Sequence, residues 1–180
     1  MMKKNTKIIL AILLVGGLGW LAFGFFGIQA LFTDQEVKEG IPSSVADVIS
    51  GADGTGQQIL GNGVFQQGDS TYTISGNAYL SRIKGQLNLT FTDFKVTNGP
   101  DLYVYAVKTK STENKTVKET VAEGNFISLG LLKGNIGGQN YVLDKELDLG
   151  QYQVVSIWCK RFGRNFGSVN LDSKAAKQSP

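Results

Sequence analysis

The sequence predicts an all-β domain, an antiparallel β-sandwich or barrel-like fold, preceded by one N-terminal transmembrane helix. Three observations predict it. From Gln57 onward, short β-like segments alternate with turn signals. Within them, Leu87-Asn88-Leu89-Thr90-Phe91-Thr92 alternates strictly, with apolar residues at odd positions. That pattern gives a strand one buried face and one wet face. Upstream, Ile8 to Phe32 carries no charge, and Gln29 is its one clearly polar member.

Taken in order, residues 1–7 form a basic end containing Lys3, Lys4 and Lys7. Residues 8–32 follow as the anchor. A 25-residue helix is roughly 37 Å long, against a hydrocarbon core of about 30 Å. A secretory signal has a shorter apolar region and a small-residue cleavage site, which Gly27-Ile28-Gln29-Ala30 matches poorly. Lysines before the run, and none directly after it, put the N-terminus in the cytoplasm and the remainder outside. The expected location is therefore the membrane, single-pass, with an extracytoplasmic C-terminal domain.

Residues 33–56 read as a flexible tether. A charged stretch, Thr33–Gly40, and a turn-rich stretch, Ser50–Gly56, flank about two helical turns capped by Ser43 or Ser44. The β-domain spans 57–172. Leu102–Val107 and Val154–Cys159 are apolar on both faces, Ser156 excepted, and suit central strands. Weaker strand candidates are Gly63–Gln66, Tyr72–Leu80, Asn125–Leu129, Tyr141–Leu143 and Ser168–Leu171, with no long helix among them. Seven or eight short strands in this length fit a sandwich or barrel. Residues 173–180 read as a polar tail.

Composition narrows the chemistry. The formal charge of +3 equals the three N-terminal lysines, so the outer part is formally neutral and nucleic acid is not an expected partner. The chain has no histidine, one cysteine, and methionine only at positions 1 and 2. One cysteine without histidine does not make a structural zinc shell, and no metal site is expected. Haem is compatible only with ligation by Cys159 or a tyrosine. No cofactor is required by the sequence. Lys133-Gly134-Asn135-Ile136-Gly137-Gly138 resembles a phosphate loop superficially, but it lacks the Gly-Lys-Ser/Thr ending and a following helix. It reads as a turn.

The candidate chemistry centres on Cys159, in Ser156-Ile157-Trp158-Cys159-Lys160-Arg161-Phe162-Gly163. Lys160, Arg161 and Arg164 are placed to lower the thiol pKa and enrich the thiolate. In a regular strand only Arg161 shares the Cys159 face. The alternative is a small apolar residue buried in a central strand, common for free cysteine. Asp101, after Pro100 at a strand entrance, either orients a partner group or caps a turn. Trp158, Tyr103, Tyr105 and Tyr141 either line a pocket for a flat cofactor or pack the core. With no second cysteine, any disulfide joins Cys159 to another chain or a small thiol.

The ordered motifs are similar to those of the DM13 domain family. They run Gly63-x-Phe65, Ser75-Gly76-x-Ala78, Phe94, Gly99-Pro100-Asp101-Leu102-Tyr103-Val104-Tyr105, Leu129-Gly130-x-Leu132-Lys133-Gly134, Gly137-Gly138-Gln139-Asn140-Tyr141, Val155-x-Ile157-Trp158-Cys159-Lys160-x-Phe162 and Phe166-Gly167. The resemblance covers about Leu60 to Leu171. It implies an extracellular β-rich module with an electron-transfer role, its cysteine acting as a bare thiol or as ligand to a prosthetic group. On that basis Cys159 is the expected redox residue, with Asp101 and Arg161 beside it. Trp158, Tyr103 and Tyr105 are expected to surround any cofactor. An envelope redox partner is expected, and a catalyst with turnover is not required. The other class that fits is a non-catalytic extracellular binding or adhesion sandwich.

Overall fold

The computed structural model describes residues 4–21, 24, 33–42, 45, 46 and 57–171. It divides into two compact units, one carrying the N-terminal helix and one carrying the β-domain. In the first unit, α1 spans Lys4–Trp20, 17 residues, and exposes Ile8, Leu13, Val15 and Trp20. At 1.5 Å per residue it is about 25 Å long, short of the roughly 30 Å hydrocarbon core. No helix among the described residues is long and apolar enough to cross a membrane. Most of the second half of the expected anchor, residues 22, 23 and 25–32, lies outside the described residues, as does the tail 173–180.

In the second unit two antiparallel sheets face one another. The strands are β1 (Gln57–Val64), β2 (Gln66–Gln67), β3 (Ile74–Ile83), β4 (Gln86–Val96), β5 (Leu102–Val107), β6 (Phe126–Leu131), β7 (Gln139–Leu143), β8 (Val154–Cys159) and β9 (Arg164–Asn170). One sheet runs β1-β3-β4-β7 and the other β2-β9-β8-β5-β6. They form an open sandwich and not a closed barrel. Between β1 and β2 the chain changes sheets at Phe65, whose ring meets Phe91 and Phe94 edge-on at 5.1 and 5.2 Å. Between the sheets lie Leu87, Leu89, Phe91, Val104, Val155, Ile157, Cys159 and Phe166, all buried.

Register explains the burial pattern of β4. Leu87, Leu89 and Phe91 point inward, as alternation requires. At Asp93, with φ +50°, the phase shifts, and Phe94 and Val96 take over the inward positions. Opposite it, β3 carries a register shift between Ser75 and Asn77. One extra residue in a strand reverses the faces of all that follow.

Three expectations need correction. Alternation predicts wet threonines at 90 and 92, yet both are buried. Because β4 is internal to its sheet, Thr90 reaches across to β7, where its Oγ1 donates to Asn140 Oδ1 at 2.8 Å. A helix also interrupts the expected all-β order. In α2 (Asn114–Ala122), Val117 and Val121 are buried four residues apart, and Gly124 ends it at φ +78°. Two apolar positions among threonines and charges give too weak a period to read from sequence. Val117 and Val121 pack with Tyr105, Val107, Val154 and Trp158 on the outer face of the five-stranded sheet.

The third correction concerns the tether. Residues 35–39 are not free chain. Val37 N–H donates to Ile136 O at 2.9 Å and Glu39 N–H to Gly138 O at 3.1 Å. Glu36 pairs in parallel with Ile136. Of the helical turns expected over 43–49, only residues 45 and 46 are described; both amides donate to Pro42 O.

Candidate functional site

Val154–Cys159 forms β8 between β5 and β9, as a segment apolar on both faces should. Cys159 ends the strand, opposite Leu102 of β5 and Arg164 of β9. Its side chain faces the inter-sheet core and is fully enclosed. The chain then turns through Lys160–Gly163, an exposed four-residue connection with Gly163 at φ +59°.

Burial pushes the Cys159 thiol above its ordinary value. Hydrogen bonds from the backbone N–H groups of Phe162 and Arg161 pull the other way, and the Asp101 carboxylate adds to the rise. Arg161 lowers the value, as its charge requires, but desolvation outweighs it. The resting group is therefore the protonated thiol, not the activated thiolate the basic neighbours predict. The strand has already ended at Cys159, so Arg161 lies in the turn and not on the strand face.

The other cations go elsewhere. Lys160 Nζ lies 5.3 Å from the centre of the Tyr103 ring. Arg164 is directed to Asp69, with 3.8 Å between Nη1 and Oδ2. Asp101 takes φ +64° at the entrance to β5, a conformation Asp tolerates better than most residues. Its carbonyl accepts Lys160 N–H at 3.1 Å, which ties the β5 entrance to the turn after Cys159.

The predicted aromatics do not join the cysteine. Trp158, Tyr103 and Tyr105 lie on the opposite face of the sheet from Cys159. Tyr105 stacks on Phe126 at 4.3 Å, with Tyr103 at 6.0 Å and Trp158 at 6.3 Å. Burial, then Tyr103 and Asp101, raise the Tyr105 phenol pKa. Tyr141 is separate again, donating from its hydroxyl to Gln139 Oε1 at 2.7 Å. A haem ligated by Cys159 needs an apolar cavity at the sulfur and rings around it. Here packed core encloses the sulfur and the rings are across the strand, so these residues do not fit a ligated prosthetic group. No cluster of three or more His, Cys, Asp or Glu able to hold a metal occurs among the described residues.

One polar site escapes sequence reading. Asp69 Oδ1 accepts from Asn114 Nδ2 at 2.8 Å and from Lys118 Nζ at 3.3 Å. Asn114 Oδ1 accepts from Asn165 Nδ2 at 3.1 Å, and Asn165 Oδ1 accepts from Ser156 Oγ at 2.8 Å. This chain of amides and hydroxyls joins α2 to β8 and β9. An open cleft of about 270 Å³ beside it is lined by Asp69, Ser70, Thr71, Tyr72 and Arg164. In the sequence Asp69 closes the turn signal Gln67-Gly68-Asp69, and Asn114 opens the glycosylation-type triplet Asn114-Lys115-Thr116. No local signal announces that they meet.

Comparison with known proteins agrees with the motifs. A search of curated proteins and of solved structures gives no match. The family described as electron transfer DM13 matches residues 65–171, which hold every strand from β2 to β9, the Cys159 turn and Asp101. The match covers more than half of the chain, and the chain belongs to the DM13 family.

Proposed function

We propose that this chain is a membrane-tethered, extracytoplasmic electron-transfer module whose exchangeable group is the Cys159 thiol at the β8–β9 turn. The observation that carries the reading is the sulfur's two backbone donors, Arg161 and Phe162, both in an exposed turn. Two N–H groups and a guanidinium favour the thiolate once desolvation is relieved. Core packing then keeps the group protonated at rest, and displacement of Lys160–Gly163 opens it. Phe162, 53% exposed at that turn, offers an approaching envelope partner an apolar contact.

The step is thiol–disulfide exchange. Cys159 loses its proton to solvent, and its thiolate attacks one sulfur of a partner disulfide. The partner S–S bond breaks, a mixed disulfide forms, and the departing partner thiolate takes up a proton. A partner dithiol then supplies the electron pair: one of its thiolates attacks the Cys159 sulfur, and the first partner leaves as a dithiol. The donor's second thiolate then attacks the donor sulfur of the new mixed disulfide, which restores the Cys159 thiol and leaves the donor as a disulfide. Tethering is supported by the charge-free run Ile8–Phe32 behind three lysines. Protease added outside intact cells is expected to remove the domain; complete protection refutes that topology.

Alkylation of Cys159 across a urea series tests the redox role. Local opening of the turn gives a rate nearly independent of urea below the unfolding transition. Arg161→Gln is expected to slow the reaction near neutral pH without changing the fold. A urea dependence equal to that of global unfolding refutes the exchange role. It favours the second reading, a non-catalytic binding module, for which the complete burial of Cys159 is the supporting observation.

A further inference from the structure

The glycine-rich segment after β6 is a cradle for an extended peptide. On one side it pairs with the end of β4: Val96 N–H donates to Asn135 O at 2.9 Å and Gly137 N–H to Phe94 O at 2.8 Å. On the other side lie residues 35–39. Val37 and Glu39 donate to Ile136 O and Gly138 O, and Ile136 N–H donates back to Gln35 O at 3.3 Å. The segment is thus a bridge that adds a parallel strand to the sheet, as β-augmentation does.

The glycines are required by that approach. A Cβ on Gly134 would stand 2.4 Å from Gln35 O, and one on Gly137 2.1 Å from Val37 O. Gly137 also holds φ +98°. Polar side chains close both ends. At the start, Asn135 is buried, accepts from Gln35 N–H at 2.6 Å and donates to Asp34 Oδ1 at 2.8 Å. At the end, the Glu39 carboxylate accepts from Lys133 Nζ at 2.7 Å and Asn140 N–H at 2.7 Å, while Asn140 Nδ2 donates to Gly40 O at 3.0 Å. Partial burial works against the Glu39 charge, but its bonds to Lys133 and Asn140 prevail and leave its pKa lowered.

We propose that residues 133–140 are a peptide-binding site for an extended segment that presents a side-chain carboxylate at its last clasped residue, which this chain fills with its own residues 35–39. The occupant is the chain's own strap. The β-domain is then fastened to its N-terminal segment by a clasp independent of the chain that links them. The proposal does not rest on the redox reading.

The test uses the full chain with a protease site inserted within 51–56. After cutting, the N-terminal piece is expected to co-elute with the β-domain at one to one on gel filtration in detergent. Val37→Pro, which deletes one clasp donor from the strap alone, is expected to release the N-terminal piece. Separation of the wild-type pieces, or retention of the Val37→Pro piece, overturns the clasp. Hydrogen exchange on the uncut wild-type chain guards against a variant that fails to fold. The amides of Val37 and Glu39 should exchange as slowly as sheet amides. Exchange at the rate of unstructured peptide overturns the proposal.

Discussion

Thr90→Val separates what alternation predicts from what packing decides. Valine keeps the branched shape and removes only the hydroxyl. Were Thr90 on a wet face, as its even position in the β4 pattern predicts, the change would cost less than about 0.5 kcal/mol. In the structure Thr90 is 1% exposed and donates to Asn140 Oδ1 at 2.8 Å. Losing such a bond costs about 1 kcal/mol net, and leaving the half-buried Asn140 acceptor short of a partner brings the total to about 1–2 kcal/mol. In urea, with a slope near 2 kcal/mol/M, a loss of about 2 kcal/mol moves the midpoint down by about 1 M. The slope should not change. A Thr90→Val, Asn140→Ala double-mutant cycle should give a coupling of about 0.5–1.5 kcal/mol. A Thr90→Val cost below about 0.5 kcal/mol, with zero coupling, would refute the buried-bond account.

Three further outcomes follow from the same geometry. Leu89→Ala should cost about 2–5 kcal/mol in the same urea experiment, because Leu89 is fully buried between the sheets. Asn165→Ala should cost about 2–3 kcal/mol, since it removes the acceptor for Ser156 Oγ and the donor to Asn114 and Ser168. Stability should also fall at alkaline pH through Cys159, whose folded-state pKa is raised by burial. The contribution is whole below the unfolded thiol's value of about 8.5 and is lost as pH rises from there through the folded value. Cys159→Ala should flatten the curve over the first unit above about 8.5, while the buried Tyr141 phenol, also raised, acts only above about pH 10. An unchanged slope in Cys159→Ala refutes the protonated resting state.

Lys160, Arg161 and Arg164 surround Cys159 in sequence, but one goes to Tyr103, one to the turn and one to Asp69. In the proposed exchange the thiolate is therefore favoured first by two backbone N–H groups, with the Arg161 charge a smaller contribution. Both donors lie in the exposed Lys160–Gly163 turn, so that proposal makes access and thiolate stabilisation depend on the same four residues.

The sequence by itself determined the antiparallel β class, sandwich or barrel, the central positions of β5 and β8, and the inward faces of Leu87, Leu89 and Phe91. It also carried family membership, through Gly-Pro-Asp-Leu-Tyr-Val-Tyr at residues 99–105 and Ile-Trp-Cys-Lys at 157–160. These are local signals, because side-chain alternation and two-face hydrophobicity are fixed within one strand. Tertiary structure decided what depends on pairing between distant segments. Thr90 is buried by a β7 residue 50 positions away, and the strap at 35–39 meets glycines about 100 positions on. The face of Cys159 opposite Trp158 follows from period two, yet its enclosure and raised pKa depend on the second sheet closing over it. Asp69, Asn114 and Asn165 come from a turn, a helix start and a strand, and only the packing of α2 on the sheet joins them. Burial and partner choice are properties of surfaces brought together by folding, and no short window of sequence contains both sides.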